Sequence, residues 1–283
     1  MKCLNLGCGS RFNPAWTNVD FAATNPTVLS HNLRQGIPFP DEEFDVVYHS
    51  HLLEHFSRPD TRAFLRECWR VLKAGGTIRI AVPDLERIAK TYLEKLEQAT
   101  TGDEQRAHDY EWMMLELYDQ TVRESTGGEM AAYLSREGLP NQDFVIDRIG
   151  LEAKQLIESA ERPGTGPASR AEDAPAIPRR MMFRQLRRIL KDRVARRETI
   201  VRRLLGSEYE LLELGRFRRS GEVHLWMYDR YSLARTLAET GFHGIEIVRP
   251  DESRIPDWSS YHLDTEPDGS VCKPDSLFME ASR

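Results

Sequence analysis

Cysteine is scarce and scattered in this chain of 283 residues: Cys3, Cys8, Cys68 and Cys272, with no Cys-x-x-Cys pair. That argues against a zinc framework. Cys3 and Cys8 flank one short strand, which makes a disulfide between them a poor fit, and the set suits a reducing compartment. No uninterrupted apolar run approaches the roughly 20 residues of a membrane-spanning helix. An apolar signal stretch is missing too, since the chain enters a strand at Lys2, and a cytoplasmic location is the expectation. Nor is there an excess of positive charge. The net charge of −6 argues against general nucleic-acid binding, and no basic groove interleaved with aromatics is seen. Internal repeats are absent. What remains is ordinary for a folded protein, with 40% hydrophobic and 30% charged residues. The length suffices for one good core and a smaller appended unit.

The organising stretch is Lys2-Cys3-Leu4-Asn5-Leu6-Gly7-Cys8-Gly9-Ser10, a short apolar strand ending in a glycine turn. Glycine lacks a Cβ and tolerates positive φ, so Gly-x-Gly brings bare backbone close to a ligand. In open α/β sheets, ligands sit beyond the carboxyl ends of the strands. Thr17-Asn18-Val19-Asp20 reads as a second strand ending in an acid, placed to accept the two hydroxyls of a ribose. Pro14 argues against a full helix between these strands.

Strands and helices alternate over the first 100 residues, as in a parallel sheet. Val28 to Leu33 is a third extended piece, and Phe44 to Tyr48 the expected central strand. It leads into His49-Ser50-His51-Leu52-Leu53-Glu54-His55, dense in proton-moving groups. Phe64, Leu65, Cys68, Trp69 and Leu72 have helical spacing, and Ala74-Gly75-Gly76 is expected to end that helix. Thr77 to Val82 is a strand, and Asp84 a helix cap rather than a metal ligand. From about residue 102 the pattern turns helical, with Trp112, Met113 and Met114 as core of an insertion. The stretch 163–178 is rich in proline and small residues and reads as a linker. Residues 179–205 read as a basic amphipathic helix with eleven Lys/Arg against two Asp/Glu. α/β character returns after Gly221, with a helix over Tyr231 to Thr240 and strands at Ile245 to Val248 and Leu277 to Glu280. The expected organisation is a core of 1–101 and 221–283, interrupted by a helical insertion, 102–220.

The segments LNLGCGS, TNVD, IPFPDEEFDVVYHSHLLEH and LRECWRVLKAGGTIRIAVPD resemble class I S-adenosylmethionine-dependent methyltransferases. They are most similar to the type 11 group, acting on small molecules and associated with polysaccharides, with a His-Leu-Leu-Glu-His-like segment after the fourth strand. The resemblance covers 2–98 and, more loosely, 221–283. It implies a Rossmann-like, seven-stranded, mostly parallel sheet with the last strand antiparallel, and S-adenosylmethionine as cofactor. Leu6, Gly7, Cys8 and Gly9 would line its methionine and ribose portion. Asp20 would hold the ribose, Asn32 and Leu33 would border the adenine, and Ser50 and His51 would lie near the methyl. Two departures stand out. Arg11 replaces the third small residue of a Gly-x-Gly-x-Gly turn, and the N-terminal helices that cover the cofactor are missing. The 102–220 insertion is the candidate lid.

Methyl transfer needs alignment and exclusion of water, and a hydroxyl acceptor also benefits from a general base. Histidine suits that role near neutral pH. The candidates are His51 first, then His55 and His224, with Glu54 as orienting partner. His55 and His224 as structural histidines is the competing reading. No metal is expected, because no pair of strand ends carries clustered acids. The expected activity is O-methylation of a small molecule or glycan. An N-methyltransferase and a non-catalytic cofactor-binding scaffold are the alternatives. The basic helix at 179–205 invites a peripheral contact with anionic lipid at the inner face of the membrane, against the plainer reading of a solvated charged face.

Overall fold

The computed structural model describes residues 1–23, 25–102, 104–161 and 193–283. The expected linker at 163–178 and the start of the basic helix, 179–192, lie outside them. Seven strands form one sheet: β1 (Cys3–Leu6), β2 (Thr17–Asp20), β3 (Val28–Ser30), β4 (Phe44–Ser50), β5 (Leu72–Pro83), β6 (His243–Ile247) and β7 (Ser276–Ser282). Their order is β3-β2-β1-β4-β5-β7-β6. The first five strands pair in parallel, whereas β7 runs antiparallel to both β5 and β6. This is the expected Rossmann-like sheet with its last strand reversed. No helix separates β1 from β2, as Pro14 foretold.

One expected boundary is corrected. Helix α1 (Arg58–Val71) is not ended by Ala74-Gly75-Gly76; Leu72 caps it and opens β5 directly. The glycines lie inside the strand. Phe44 pairs Leu72 and Val46 pairs Thr77, so extra residues bulge out of β5 between these pairs. Gly75 holds φ +75° there, a turn chemistry that serves a bulge as well as a helix end.

Period-2 alternation divides the sheet into two unlike faces. Leu4, Leu6, Val19, Val47, Ile78, Ile80, Val82 and Met279 face one way, into a core closed by α1 and by α9 (Arg230–Thr240). Asp229 and Ser232 form a capping box at the start of α9. The opposite face carries Asn5, Asn18, Tyr48, Arg79 and Glu280, all buried. It is covered by the segment 249–275 instead of a helix. Trp16, Tyr48, Ile255, Trp258 and Leu263 form a small aromatic core there. Arg79 anchors it. Its Nε donates to Asp264 Oδ2 and its Nη1 to Glu280 Oε1, both at 2.8 Å, and its guanidinium stacks 4.3 Å from the Trp258 ring. Three further donations reach the carbonyls of Arg249, Pro250 and Glu252. A fully buried guanidinium needs this saturation, because an unpaired charge there would be costly.

Helix α2 (Leu85–Ala99) starts on Asp84, whose side chain accepts from the Arg87 N–H. Then follow α3 (Glu104–Val122), α4 (Gly128–Leu134), α5 (Gln142–Ile149) and α6 (Leu151–Glu161). These helices share a core with Ile88 of α2, in which Trp112 and Met113 are fully buried and Met114 is partly exposed. A second helical pair, α7 (Arg193–Leu205) and α8 (Glu208–Arg218), leaves Val194, Ile200, Leu204 and Leu211 exposed. No described helix is long and apolar enough to cross a membrane.

Candidate functional site

The glycine turn follows β1. Gly7 and Gly9 adopt φ +64° and +53°, in the left-handed region. A Cβ on Gly7 would stand 2.8 Å from Leu52 Cδ1, the tip of a side chain that can shift, so the positive φ is the main reason for glycine there. The Gly7 N–H is spent on Val19 O (2.8 Å), and the Gly9 N–H on Asp20 Oδ2 (2.8 Å). Asn5, buried beneath, donates to Asn18 Oδ1 and Arg11 O, pinning the turn to β2. Arg11 also lines the cavity above the turn. It donates to Glu266 Oε1 at 2.5 Å and to His262 O at 3.1 Å, which ties the turn to the 249–275 segment.

A cavity of about 500 Å³ opens above this turn. Its wall includes Gly7, Cys8, Gly9, Ser50 and His51, together with Glu152 of α6, Leu263, Asp264 and Lys273. A second cavity of about 250 Å³ lies against it, walled by Glu54, His55, His224, Arg123 and Asp275. His51, Glu152 and Lys273 border both.

His51 sits at the end of β4 with φ +49°, its N–H bonded to Ala81 O. A non-glycine residue held there marks a constrained site. Its Nε2 lies 2.7 Å from Ser276 Oγ, and its Nδ1 3.5 Å from Glu54 Oε1. Burial holds its pKa well below the ordinary imidazole value, with Lys273 adding to the effect. The ring is therefore neutral at physiological pH and keeps a lone pair. Glu54, in the 3₁₀ turn Leu53–His55, is fully buried with neither carboxylate oxygen hydrogen-bonded. Burial raises its pKa to about 8. Burial also pushes the imidazoles of His224 and His55 down, so the close approaches of Glu54 to His51 and His224 are not ion pairs at neutral pH. His224 reaches the cluster because its backbone N–H binds Gln120 O, while the next two residues donate to Glu54 O. His55 and His224 meet edge to face, 4.8 Å between ring centres.

Residues 4–80 match the methyltransferase domain family. No curated protein matches the chain. Among solved structures, it is similar to the YcgJ protein of Bacillus subtilis, at 21% identity over 34% of this chain and 51% of that one, TM-score 0.26. A S-adenosylmethionine-dependent methyltransferase from Aquifex aeolicus matches at 18% identity over 30% and 57%, TM-score 0.24. Another from Archaeoglobus fulgidus matches at 10% identity over 100% and 86%, TM-score 0.37. The chain spans about half the length of the first two. Over residues 4–80, then, the chain is similar to a methyltransferase domain. S-adenosylmethionine is the cofactor this similarity implies, and a left-handed glycine turn whose Gly7, Cys8 and Gly9 line a cavity of about 500 Å³ fits it.

Within this methyltransferase-like region, the expected cofactor residues divide. Gly7, Cys8, Gly9, Ser50 and His51 line the larger cavity, whereas Leu6, Asp20, Asn32 and Leu33 are absent from its wall. Leu6 and Leu33 pack into the core. Asn32 caps a 3₁₀ turn by accepting from the Arg34 N–H. Asp20 uses one oxygen on Gly9 and the other on the Ala22 N–H, which leaves lone pairs on both. The four proposed proton-moving residues, His51, Glu54, His55 and His224, do come together. Sequence reasoning missed Lys273, Asp275, Ser276 and Glu152. Asp275 is buried, its pKa raised to about 7 by desolvation and by Glu116. No motif marks these residues, because a Pro-rich C-terminal loop and a remote helix deliver them.

Proposed function

We propose that this chain transfers a methyl group from S-adenosylmethionine to a hydroxyl of a small molecule or glycan. One observation carries the reading: His51 borders both cavities, so the cofactor space and the second space meet at one neutral imidazole. When bound, the cofactor supplies a methyl on a sulfonium leaving group. The chain's own residues then align and deprotonate. His51 takes the acceptor proton at Nδ1, while Ser276 Oγ, 2.7 Å from Nε2, fixes the ring and Glu54 lies 3.5 Å from Nδ1. Helices α3, α4 and α6, from the expected insertion, wall the smaller cavity through Gln120, Met130 and Leu156, with Arg123 just after α3, and act as the lid that keeps water out.

Calorimetric titration of S-adenosylmethionine into wild type and Asp20→Ala, followed by transfer assays on sugars and polyols, tests the reading. Saturable binding weakened in the variant, with label appearing on a hydroxyl, is the expected result. Binding without transfer to any acceptor would favour a scaffold, and transfer to amines alone would move the chain to N-methylation.

Peripheral contact with anionic lipid belongs to the same reading. Its support is the exposed Val194, Ile200 and Leu204 on α7, next to Arg196, Arg197, Arg202 and Arg203. Salt-sensitive flotation with phosphatidylserine vesicles is expected, and no flotation at low salt removes the contact.

A further inference from the structure

Glu54, His55 and His224 each offer one ligand atom, and these atoms all lie within 4.8 Å of one another. Ligands bonded to one ion at about 2.0–2.2 Å sit about 3.5 Å apart, so a shift of roughly 1 Å closes the set. Two features separate this cluster from a chance grouping. First, both Glu54 oxygens and His224 Nδ1 are buried with no hydrogen-bond partner, and Glu54 is fully buried. Buried polar groups are nearly always satisfied, and an orphaned carboxyl aimed at two imidazoles is unusual. Second, His55 Nδ1 lies 3.3 Å from Val223 O, an approach that makes Nδ1 the donor and leaves the Nε2 lone pair free. A carbonyl bonded to the nitrogen that does not bind metal commonly fixes a ligating histidine.

We propose that Glu54, His55 and His224 bind a divalent transition-metal ion of the zinc class, with an open position toward the smaller cavity. Two imidazoles and one carboxylate form a donor set that binds zinc and leaves room for an oxygen ligand. The cations at the cavity rim are held by acids and do not oppose the ion unpaired. Arg123 lies 3.0 Å from Asp119 and 3.7 Å from Glu222, and Lys273 4.0 Å from Glu152. Resting on the methyl-transfer reading, the ion's role is to take the acceptor oxygen and ease its deprotonation. The hydroxyl proton passes to His51, the oxygen forms a bond to the methyl carbon, and the carbon–sulfur bond breaks with its electron pair left on sulfur.

The test uses the full chain stripped by chelator and titrated with Co²⁺, read by visible d–d absorption, with Zn²⁺ competing. One Co²⁺ per chain, displaced by Zn²⁺, is expected. Glu54→Gln keeps the shape of the side chain and should weaken Co²⁺ binding by more than about a hundredfold, as should His224→Ala. His243→Ala, an exposed histidine elsewhere, should change nothing. S-adenosylmethionine binding to each variant reports folding independently. Absent Co²⁺ binding by folded wild type, or equal binding by Glu54→Gln and His224→Ala, overturns the site. Metal binding without methyl transfer to any acceptor keeps the site and removes only the functional reading, whereas transfer indifferent to chelation removes the ion's role.

Discussion

The two cavities that meet at His51 are built by different means. The larger rests on backbone: a glycine turn with positive φ, pinned by Asn5 and Asp20 from the neighbouring strand. The smaller rests on side chains: buried Glu54 and His224 and half-buried His55, with little hydrogen bonding of their own. A backbone-built wall tolerates many sequences provided glycine stays where φ demands it. A side-chain-built wall depends on each titratable group, and carries a desolvation cost for every one that lacks a partner.

The largest expected break falls on the shared residue. His51→Ala should lower methyl transfer by about 10²–10⁴-fold while S-adenosylmethionine affinity changes little. Separate measurement of kcat and of cofactor Kd checks this. If affinity falls as steeply as kcat, the two cavities are not functionally distinct.

Next comes the anchor that holds the 249–275 segment over the polar face. Arg79→Met leaves Asp264 buried with only the Tyr48 hydroxyl, and Glu280 with only Ser253 and Arg254, and should cost about 3–5 kcal/mol in urea unfolding. An Asp264→Asn change in the same background should recover part of that loss. No recovery would mean that the Trp258 packing, rather than charge, dominates.

Gly7→Ala acts on the backbone-built cavity alone. Strain at φ +64° and contact with Leu52 should cost about 1–2 kcal/mol of stability. Cofactor Kd should rise while metal affinity at Glu54 stays constant. Coupled changes in both would show that the cavities move as one unit.

The smallest effect concerns the thiols. Burial raises the pKa of Cys3 and of Cys8 to about 11, and lifts those of Cys68 and Cys272 as well. Thiolate is the reactive form, so alkylation of the folded chain at pH 8 should be slow and accelerate with pH. Saturating S-adenosylmethionine should slow Cys8 further, as mass spectrometry of modified peptides can report.

Much of the parallel half was legible in advance because its signals are local. Leu4 and Leu6 alternate with Asn5, Gly7 and Gly9 announce a turn, and Phe44 to Ser50 is a dense β-former run. The helix end at Leu72 was misplaced because Ala-Gly-Gly serves a β-bulge as readily as a C-cap, and only pairing with Phe44 and Val46 distinguishes them. Lys273 and Asp275 were invisible because nothing around them has periodicity, and Ser276, which opens β7, because strand spacing singles out no serine. Arg79 lies in a strand the sequence showed, but its burial depends on partners 170 to 201 positions away.

By itself the sequence determined the alternation of strands and helices, the glycine turn, the acid after β2 and the helical character of 104–161, since all follow from short-range backbone preference and apolar spacing. Only the tertiary structure decided which titratable groups became neutral, which lost their partners and which met at His51. Those properties come from desolvation and long-range contact, and neither is written in any short stretch of chain.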